Sequence, residues 1–118
     1  MNAAIAPQAL APLIDGYWQE RAALAPCKAP QELVEALETC LVGLEQGQLR
    51  VAEPMRDAEA EGASQWQVNE WLKKAVLLYF KITPNQVMPG TPAHYFDKVP
   101  LQYSSAEAAA AAQCRLVP

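Results

Sequence analysis

The most strongly amphipathic stretch of the chain is Glu70-Trp71-Leu72-Lys73-Lys74-Ala75-Val76-Leu77-Leu78-Tyr79-Phe80-Lys81. Its apolar residues recur at three- and four-residue spacing over a wide arc, as expected of a helix that other elements cover. Asn69 can cap its amino end, and the helix must end by Thr83 because Pro84 disfavours helical geometry at the residue before it. We therefore predict a central helix over residues 70–82.

Two further helices are predicted upstream of this stretch. Residues 1–11 are rich in alanine and proline, and we expect them to be flexible. Apolar spacing then predicts a helix over residues 12–24, with Pro12 in its first turn. A second helix follows Pro30 and stops at Gly47. Its apolar face consists of Leu33, Val34, Leu37, Leu41 and Leu44. We expect the two helices to form an antiparallel pair.

The remaining segments predict little regular structure. Residues 49–53 fit a brief strand, and residues 65–68 could pair with it across a surface loop at 56–62. The alternative is an irregular connection without a hairpin. The proline-rich stretch 84–100, which includes Tyr95 and Phe96, is predicted to be an ordered loop. Ser104 and Glu107 form a capping box before a short helix at 105–113. The fold class is α+β, mainly α: a small helical domain over residues 12–118 with a short β-hairpin.

Composition restricts the possible functions. The chain has 118 residues, enough for one domain, and its net charge of −4 argues against a nucleic-acid partner. Three separated cysteines and a single histidine, His94, give no disulfide framework and no multi-histidine metal centre. Neither a signal peptide nor a membrane span is evident, so the expected location is the cytoplasm.

Charge is unevenly distributed along the chain. Residues 1–70 contain four basic and eleven acidic side chains, whereas residues 71–118 contain five basic and two acidic ones. The basic final third could meet an anionic ligand. The alternative, which we favour for the lysines, is that they only solvate exposed faces. These lysines are Lys73, Lys74, Lys81 and Lys98.

No short motif in the chain indicates catalysis. There is no glycine-rich phosphate loop and no serine nucleophile elbow. Glu59 and Glu61 fall in the predicted surface loop, where solvated carboxylates do little acid–base work. Cys114 stands beside Arg115 but has no paired histidine, so a nucleophilic role is not supported. We therefore predict no catalytic residue, no metal site and no bound cofactor in this chain.

Four ordered segments do match a known family. They are Leu49-Arg50-Val51-Ala52-Glu53, then Trp71-Leu72-Lys73-Lys74-Ala75-Val76-Leu77-Leu78 with Phe80, then Tyr95-Phe96-Asp97-Lys98-Val99-Pro100, and finally Arg115-Leu116-Val117-Pro118. From about residue 12 onward the sequence resembles the N-terminal region of the tetrahydrodipicolinate N-succinyltransferase family. The loop at 54–64 and the alanine-rich helix diverge from the family pattern.

The resemblance implies an acyltransferase. Family enzymes transfer a succinyl group from succinyl-CoA to ring-opened tetrahydrodipicolinate, in the succinylase route to diaminopimelate and lysine. They are homotrimers whose catalytic body is a left-handed β-helix of hexapeptide repeats, and the helical N-terminal domain helps to bind the acceptor. This chain has no such repeats, and the main acid–base carboxylate is expected in the part it lacks. The 118-residue fragment is therefore expected to be inactive alone.

The resemblance also implies one substrate-binding residue. Arg115 matches an arginine that contacts the acceptor dicarboxylate in the family, and a guanidinium can grip a carboxylate through two parallel hydrogen bonds. The alternative is a surface charge without such a role. At the level of the whole chain, the competing hypothesis is a stand-alone helical module that keeps the scaffold of this family's N-terminal domain and binds a protein partner.

Overall fold

The computed structural model describes residues 7–55, 65–90 and 93–115. They divide into two compact units, of which the first ends at Thr83 and the second begins at Pro84. The first unit contains α1 (Pro7–Gln19), a 3-10 turn (Arg21–Ala23), α2 (Gln31–Glu45), β1 (Ala52–Pro54), β2 (Trp66–Val68) and α3 (Glu70–Ile82). The second unit contains β3 (Gln86–Met88), β4 (Tyr95–Asp97) and α4 (Ala106–Ala111).

A three-helix core holds the first unit together. Both α1 and α2 pack against α3, as predicted for the helix that other elements cover, and α1 and α2 also pack against each other. The bounds predicted for α3 are confirmed. The buried side chains of the core are Leu10, Ile14, Leu24, Leu33, Ala36, Leu37, Cys40, Leu72, Ala75, Leu78 and Ile82.

Helix α1 lies closer to the amino end than we predicted. It begins at Pro7, which takes the first-turn position assigned to Pro12, and it ends at Gln19. Pro12 is inside the helix, where it removes one intrahelical hydrogen bond. The segment expected to be flexible therefore overlaps α1 at residues 7–11, where Leu10 is buried; residues 1–6 lie outside the described residues. Leu24 follows the 3-10 turn in an extended conformation and is buried there.

Helix α2 matches its predicted bounds but packs differently. Leu33 and Leu37 are buried as predicted, whereas the other buried positions are the small residues Ala36, Cys40 and Gly43. A Cβ atom at Gly43 would lie 2.7 Å from Cδ1 of Leu49, so the missing side chain lets Leu49 approach. At the carboxyl end Gly47 has φ +71°. The N–H of Gly47 donates to the Leu44 carbonyl and that of Gln48 to the Gly43 carbonyl, which is a Schellman motif.

The hairpin predicted before α3 is confirmed, but its first strand is Ala52–Pro54 and not residues 49–53. Strands β1 and β2 are antiparallel, with Ala52 opposite Val68 and Pro54 opposite Trp66. The intervening loop, including Glu59 and Glu61, lies outside the described residues. Asn69 occupies the N-cap position of α3, but the predicted side-chain cap is wrong. Its Nδ2 instead donates to the Arg50 carbonyl at 2.7 Å, which ties the start of α3 to the chain before β1.

The second unit contains a hairpin where we predicted a loop. Strands β3 and β4 are antiparallel, with Val87 opposite Phe96. Prolines flank these short strands without interrupting them, so the proline-rich composition concealed the pattern. Gly90 is required in the connection because a Cβ there would lie 2.5 Å from the Ala93 carbonyl oxygen.

Helix α4 is shorter than predicted and is capped by a different residue. The hydroxyl oxygen of Ser105 accepts a hydrogen bond from the Ala108 N–H at 3.1 Å, so the cap is Ser105 and not the predicted Ser104. The helix ends at Ala111, and Ala112 is its C-cap. Moving the cap one residue along the chain also removes the reciprocal partner expected at Glu107, because a capping box needs that residue three positions after the cap.

Candidate functional site

Arg115 follows a sharply defined helix end in the second unit. Gln113 has φ 54°, and its N–H donates to the Ala110 carbonyl at 3.1 Å. The N–H of Cys114 donates to the Ala109 carbonyl at 3.0 Å. These two bonds form a second Schellman motif, here with glutamine in the left-handed position where glycine is usual. The motif fixes the direction in which the backbone leaves α4, and Arg115 is the first residue after it.

The Arg115 side chain is available for a ligand. The residue is exposed, and none of the carboxylates in the described part of the chain forms an ion pair with its guanidinium. A guanidinium offers five N–H donors in a planar fork that matches a carboxylate. The geometry therefore allows Arg115 to bind a carboxylate of a small molecule, which is the role that the sequence resemblance implied.

A separate cleft lies on the first unit. It has a volume of about 350 Å³ and is lined by Pro12, Leu13, Gly16, Tyr17, Glu20 and Glu32. The Tyr17 hydroxyl donates to Oε2 of Glu32 at 3.0 Å. This hydrogen bond, partial burial and the negative charges of Glu32 and Glu20 all raise the pKa of Tyr17. Sequence analysis missed the cleft because it forms where α1 and α2 meet, which no local pattern specifies.

The charge of this cleft disfavours a dicarboxylate ligand. Glu20 and Glu32 both line it, and like charges at short range repel, the more so where solvent is partly excluded. The cleft and Arg115 also belong to different units. Of the two places, only Arg115 offers a positive charge to an anionic ligand.

The other sequence candidates are structural or isolated. Nζ of Lys74 forms an ion pair with Asp15 at 2.5 Å, which joins α3 to α1, so the expectation that this lysine only solvates an exposed face is wrong. The Cys114 thiol is exposed and contacts the Ala112 carbonyl oxygen at 3.4 Å. Cys40 is buried in the core, and burial raises its pKa to about 11, which opposes thiolate formation.

Membrane-spanning helices and metal-binding clusters are two further features to consider in the described residues. None of the helices there is both long and apolar enough to cross a membrane. In the same ranges, no group of three histidine, cysteine, aspartate or glutamate side chains is arranged to hold a metal ion.

Comparison with known proteins identifies the family. Residues 9–82 match the family model described as tetrahydrodipicolinate N-succinyltransferase N-terminal. The chain belongs to this family. The matched segment ends one residue before the end of the first unit, at the last residue of α3, so the conserved family model corresponds to the three-helix unit and its hairpin.

Curated relatives extend the match into the second unit. The 2,3,4,5-tetrahydropyridine-2,6-dicarboxylate N-succinyltransferase of Acidovorax sp. (strain JS42) is 43% identical over 113 residues, which is 94% of this chain and 39% of the relative. The enzyme of the same name from Delftia acidovorans (strain DSM 14801 / SPH-1) is 42% identical over the same shares. That of Proteus mirabilis (strain HI4320) is 39% identical over 98 residues, or 83% of this chain and 33% of the relative.

These matches bear on the two hypotheses drawn from the sequence. The resemblance to the tetrahydrodipicolinate N-succinyltransferase family is confirmed, and nothing in the comparisons supports a stand-alone interaction module. The chain spans about two-fifths of the length of the curated relatives it matches. It is therefore similar to the N-terminal part of these transferases.

Proposed function

We propose that this chain is the acceptor-side part of an enzyme that transfers a succinyl group from succinyl-CoA to tetrahydrodipicolinate, on the route to diaminopimelate and lysine. The observation that supports the proposal is 43% identity, over 94% of the chain, to a transferase of that name. The complete enzyme is expected to be a homotrimer in the cytoplasm, a compartment in which free thiols such as those of this chain persist.

The proposed reaction explains why the chain alone should be inactive. An amine of the acceptor attacks the thioester carbonyl, an amide bond forms, the C–S bond breaks, and the coenzyme A thiol leaves with a proton. Much of the rate gain in such a transfer comes from holding the two substrates in one orientation. The family resemblance assigns the thioester site to a β-helix, and none of the described residues form one.

Arg115 is proposed to bind one carboxylate of the acceptor. Its position directly after the Schellman motif of α4 orders the backbone that leads to it, which reduces the backbone entropy lost on binding. A charge-assisted bidentate contact would also orient the planar carboxylate. The residue is thus proposed to help select a dicarboxylate over a neutral acceptor.

A chimera tests the proposed function. Residues 1–118 of this chain would replace the matched part of the Acidovorax relative, and coenzyme A release from succinyl-CoA would be followed with and without acceptor. We expect acceptor-dependent release from the chimera and none above background from the 118-residue chain alone. A folded, trimeric chimera without acceptor-dependent turnover would contradict the proposal, as would turnover by the chain alone.

Variants of the same chimera test Arg115. Arg115→Ala should raise the KM for the acceptor about tenfold or more, since one charge-assisted pair is worth about 1.5–3 kcal/mol. Arg115→Lys should recover only part of the loss because an ammonium cannot make the bidentate contact. Lys28→Ala removes an exposed cation from the first unit and should leave KM unchanged. An unaltered acceptor KM in Arg115→Ala would remove Arg115 from the site.

A further inference from the structure

Helix α3 has an exposed surface that combines apolar and basic side chains. Leu77 and Phe80 are 43% and 41% exposed, although both belong to the helix that buries Leu72 and Leu78. Lys73 and Lys81 lie four residues before and after Leu77. At a rise of 1.5 Å per residue, the two lysines are about 12 Å apart along the helix, with Leu77 midway. We call Lys73, Leu77, Phe80 and Lys81 the basic stripe.

Helix α2 has an exposed surface of the opposite charge. Val42 is 47% exposed and lies between the exposed residues Glu38 and Glu45. The two glutamates are seven residues apart, about 10 Å along the helix. We call Glu38, Val42 and Glu45 the acidic stripe. Within the described residues, none of the four charged side chains of the two stripes forms an ion pair.

We propose that the basic stripe of one copy of this chain docks against the acidic stripe of a second copy. Both stripes have a charge, an apolar residue and a charge at nearly the same spacing along a helix. Packing Leu77 on Val42 would therefore place both lysines beside both glutamates. Helices that pack side by side are 8–10 Å apart, a distance that long lysine and glutamate side chains span. Coiled coils use the same arrangement, with charges flanking an apolar seam.

Charge complementarity favours a second copy as the occupant. An acidic partner of another kind would use the basic stripe and leave the acidic one unexplained, whereas a second copy supplies both surfaces. Because each copy has both stripes, two copies can pair both stripes around a twofold axis, or the contact can run head-to-tail through further copies. The few apolar contacts imply an association that is weak and sensitive to salt.

Sedimentation velocity of the 118-residue chain, from about 10 μM to about 1 mM, tests the proposal. The wild-type chain should associate reversibly with rising concentration, and added salt should reduce this. Lys73→Glu with Lys81→Glu should weaken association at least tenfold, and so should Glu38→Lys with Glu45→Lys. Mixing the two double variants should restore association. The glutamates introduced in one variant then meet the lysines introduced in the other, and the unaltered acidic stripe of the first meets the unaltered basic stripe of the second.

A matched control separates the stripes from the total charge. Lys28→Glu with Arg50→Glu makes the same change in net charge at exposed positions outside both stripes, and it should leave association nearly unchanged. Circular dichroism would establish that each variant keeps its helices. A wild-type chain that stays monomeric throughout, double variants that associate like wild type, or a mixture that stays monomeric would each overturn the proposal. None of these measurements depends on acyl transfer.

Discussion

The two units of this chain are stabilised in different ways. Every buried apolar side chain among the described residues lies at or before Ile82, in the first unit. The second unit exposes its large apolar side chains, and Val87 and Phe96, which face each other across the hairpin, are 69% and 68% exposed. Hydrogen bonds and turn geometry therefore hold the second unit, and a lone hairpin of this kind is marginally stable in water. The family model therefore ends at the same residue as the packed core, Ile82.

The largest expected effect comes from a cavity in the core of the first unit. Leu72→Ala should lower the free energy of unfolding by about 2–5 kcal/mol, because a fully buried leucine loses its contacts and leaves a void. Leu77→Ala, the same substitution on the exposed side of the same helix, should cost less than about 1 kcal/mol. Denaturant titration followed by tryptophan fluorescence measures both, since Trp18 and Trp71 pack against the core.

The same titration tests whether an apolar side chain of the second unit contributes to the stability of the first unit. Phe96→Ala removes a larger side chain than Leu72→Ala does, but from an exposed position. It should change the unfolding free energy of the first unit by no more than about 0.5 kcal/mol. A loss as large as that of Leu72→Ala would mean that the two units share one cooperative core, contrary to the burial pattern.

Substitutions in the two Schellman motifs should change stability by smaller amounts, one lowering it and the other raising it. Gly47→Ala should destabilise the first unit by about 1 kcal/mol, because only glycine adopts the left-handed conformation freely. Gln113→Gly should stabilise the end of α4 by a similar or smaller amount, since glutamine already pays that conformational cost at φ 54°. Denaturant titration measures the first effect, and amide hydrogen exchange at Cys114 the second. Faster exchange at Cys114 in Gln113→Gly would contradict the assigned motif.

Local sequence rules predicted the elements whose ends are fixed by nearby residues. Gly47 and Pro84 placed the ends of α2 and α3 because their effects act within one turn. The start of α1 was misplaced because two prolines, Pro7 and Pro12, satisfy the same local rule, and only burial of Leu10 in the core decides between them. The β3–β4 hairpin was missed because strands of three residues are too short to show an alternating pattern.

The candidate site was less predictable than the fold. Arg115 was singled out by family resemblance, whereas no local rule indicated the Schellman motif before it, since glutamine rarely occupies that position. The acidic cleft depends on how α1 and α2 cross, so Tyr17 and Glu32 meet although fifteen residues separate them. Contacts of this kind arise from packing between elements, which a single sequence does not specify.

A further comparison between the two units concerns their thiols. Cys40 is buried, whereas Cys114 and Cys27 are exposed, so iodoacetamide at mildly alkaline pH should label the exposed thiols and spare Cys40. Burial raises the pKa of Cys40 from 9.0 to about 11. Between these values the unfolded chain has lost the thiol proton that the folded protein retains. The stability linked to Cys40 is therefore complete below pH 9 and falls as the pH rises towards 11.

Cys40→Ala isolates this contribution from other groups that titrate in alkali. Tyr17, whose pKa is also raised, is present in both proteins, so its effect cancels in their difference. The stability advantage of the wild type over Cys40→Ala should be constant up to about pH 9 and should shrink above it, because only the wild type has the thiol proton to lose on unfolding. An advantage that stays constant between pH 9 and pH 11 would show that Cys40 is solvated enough to ionise in the folded protein, and the contrast with Cys114 would disappear.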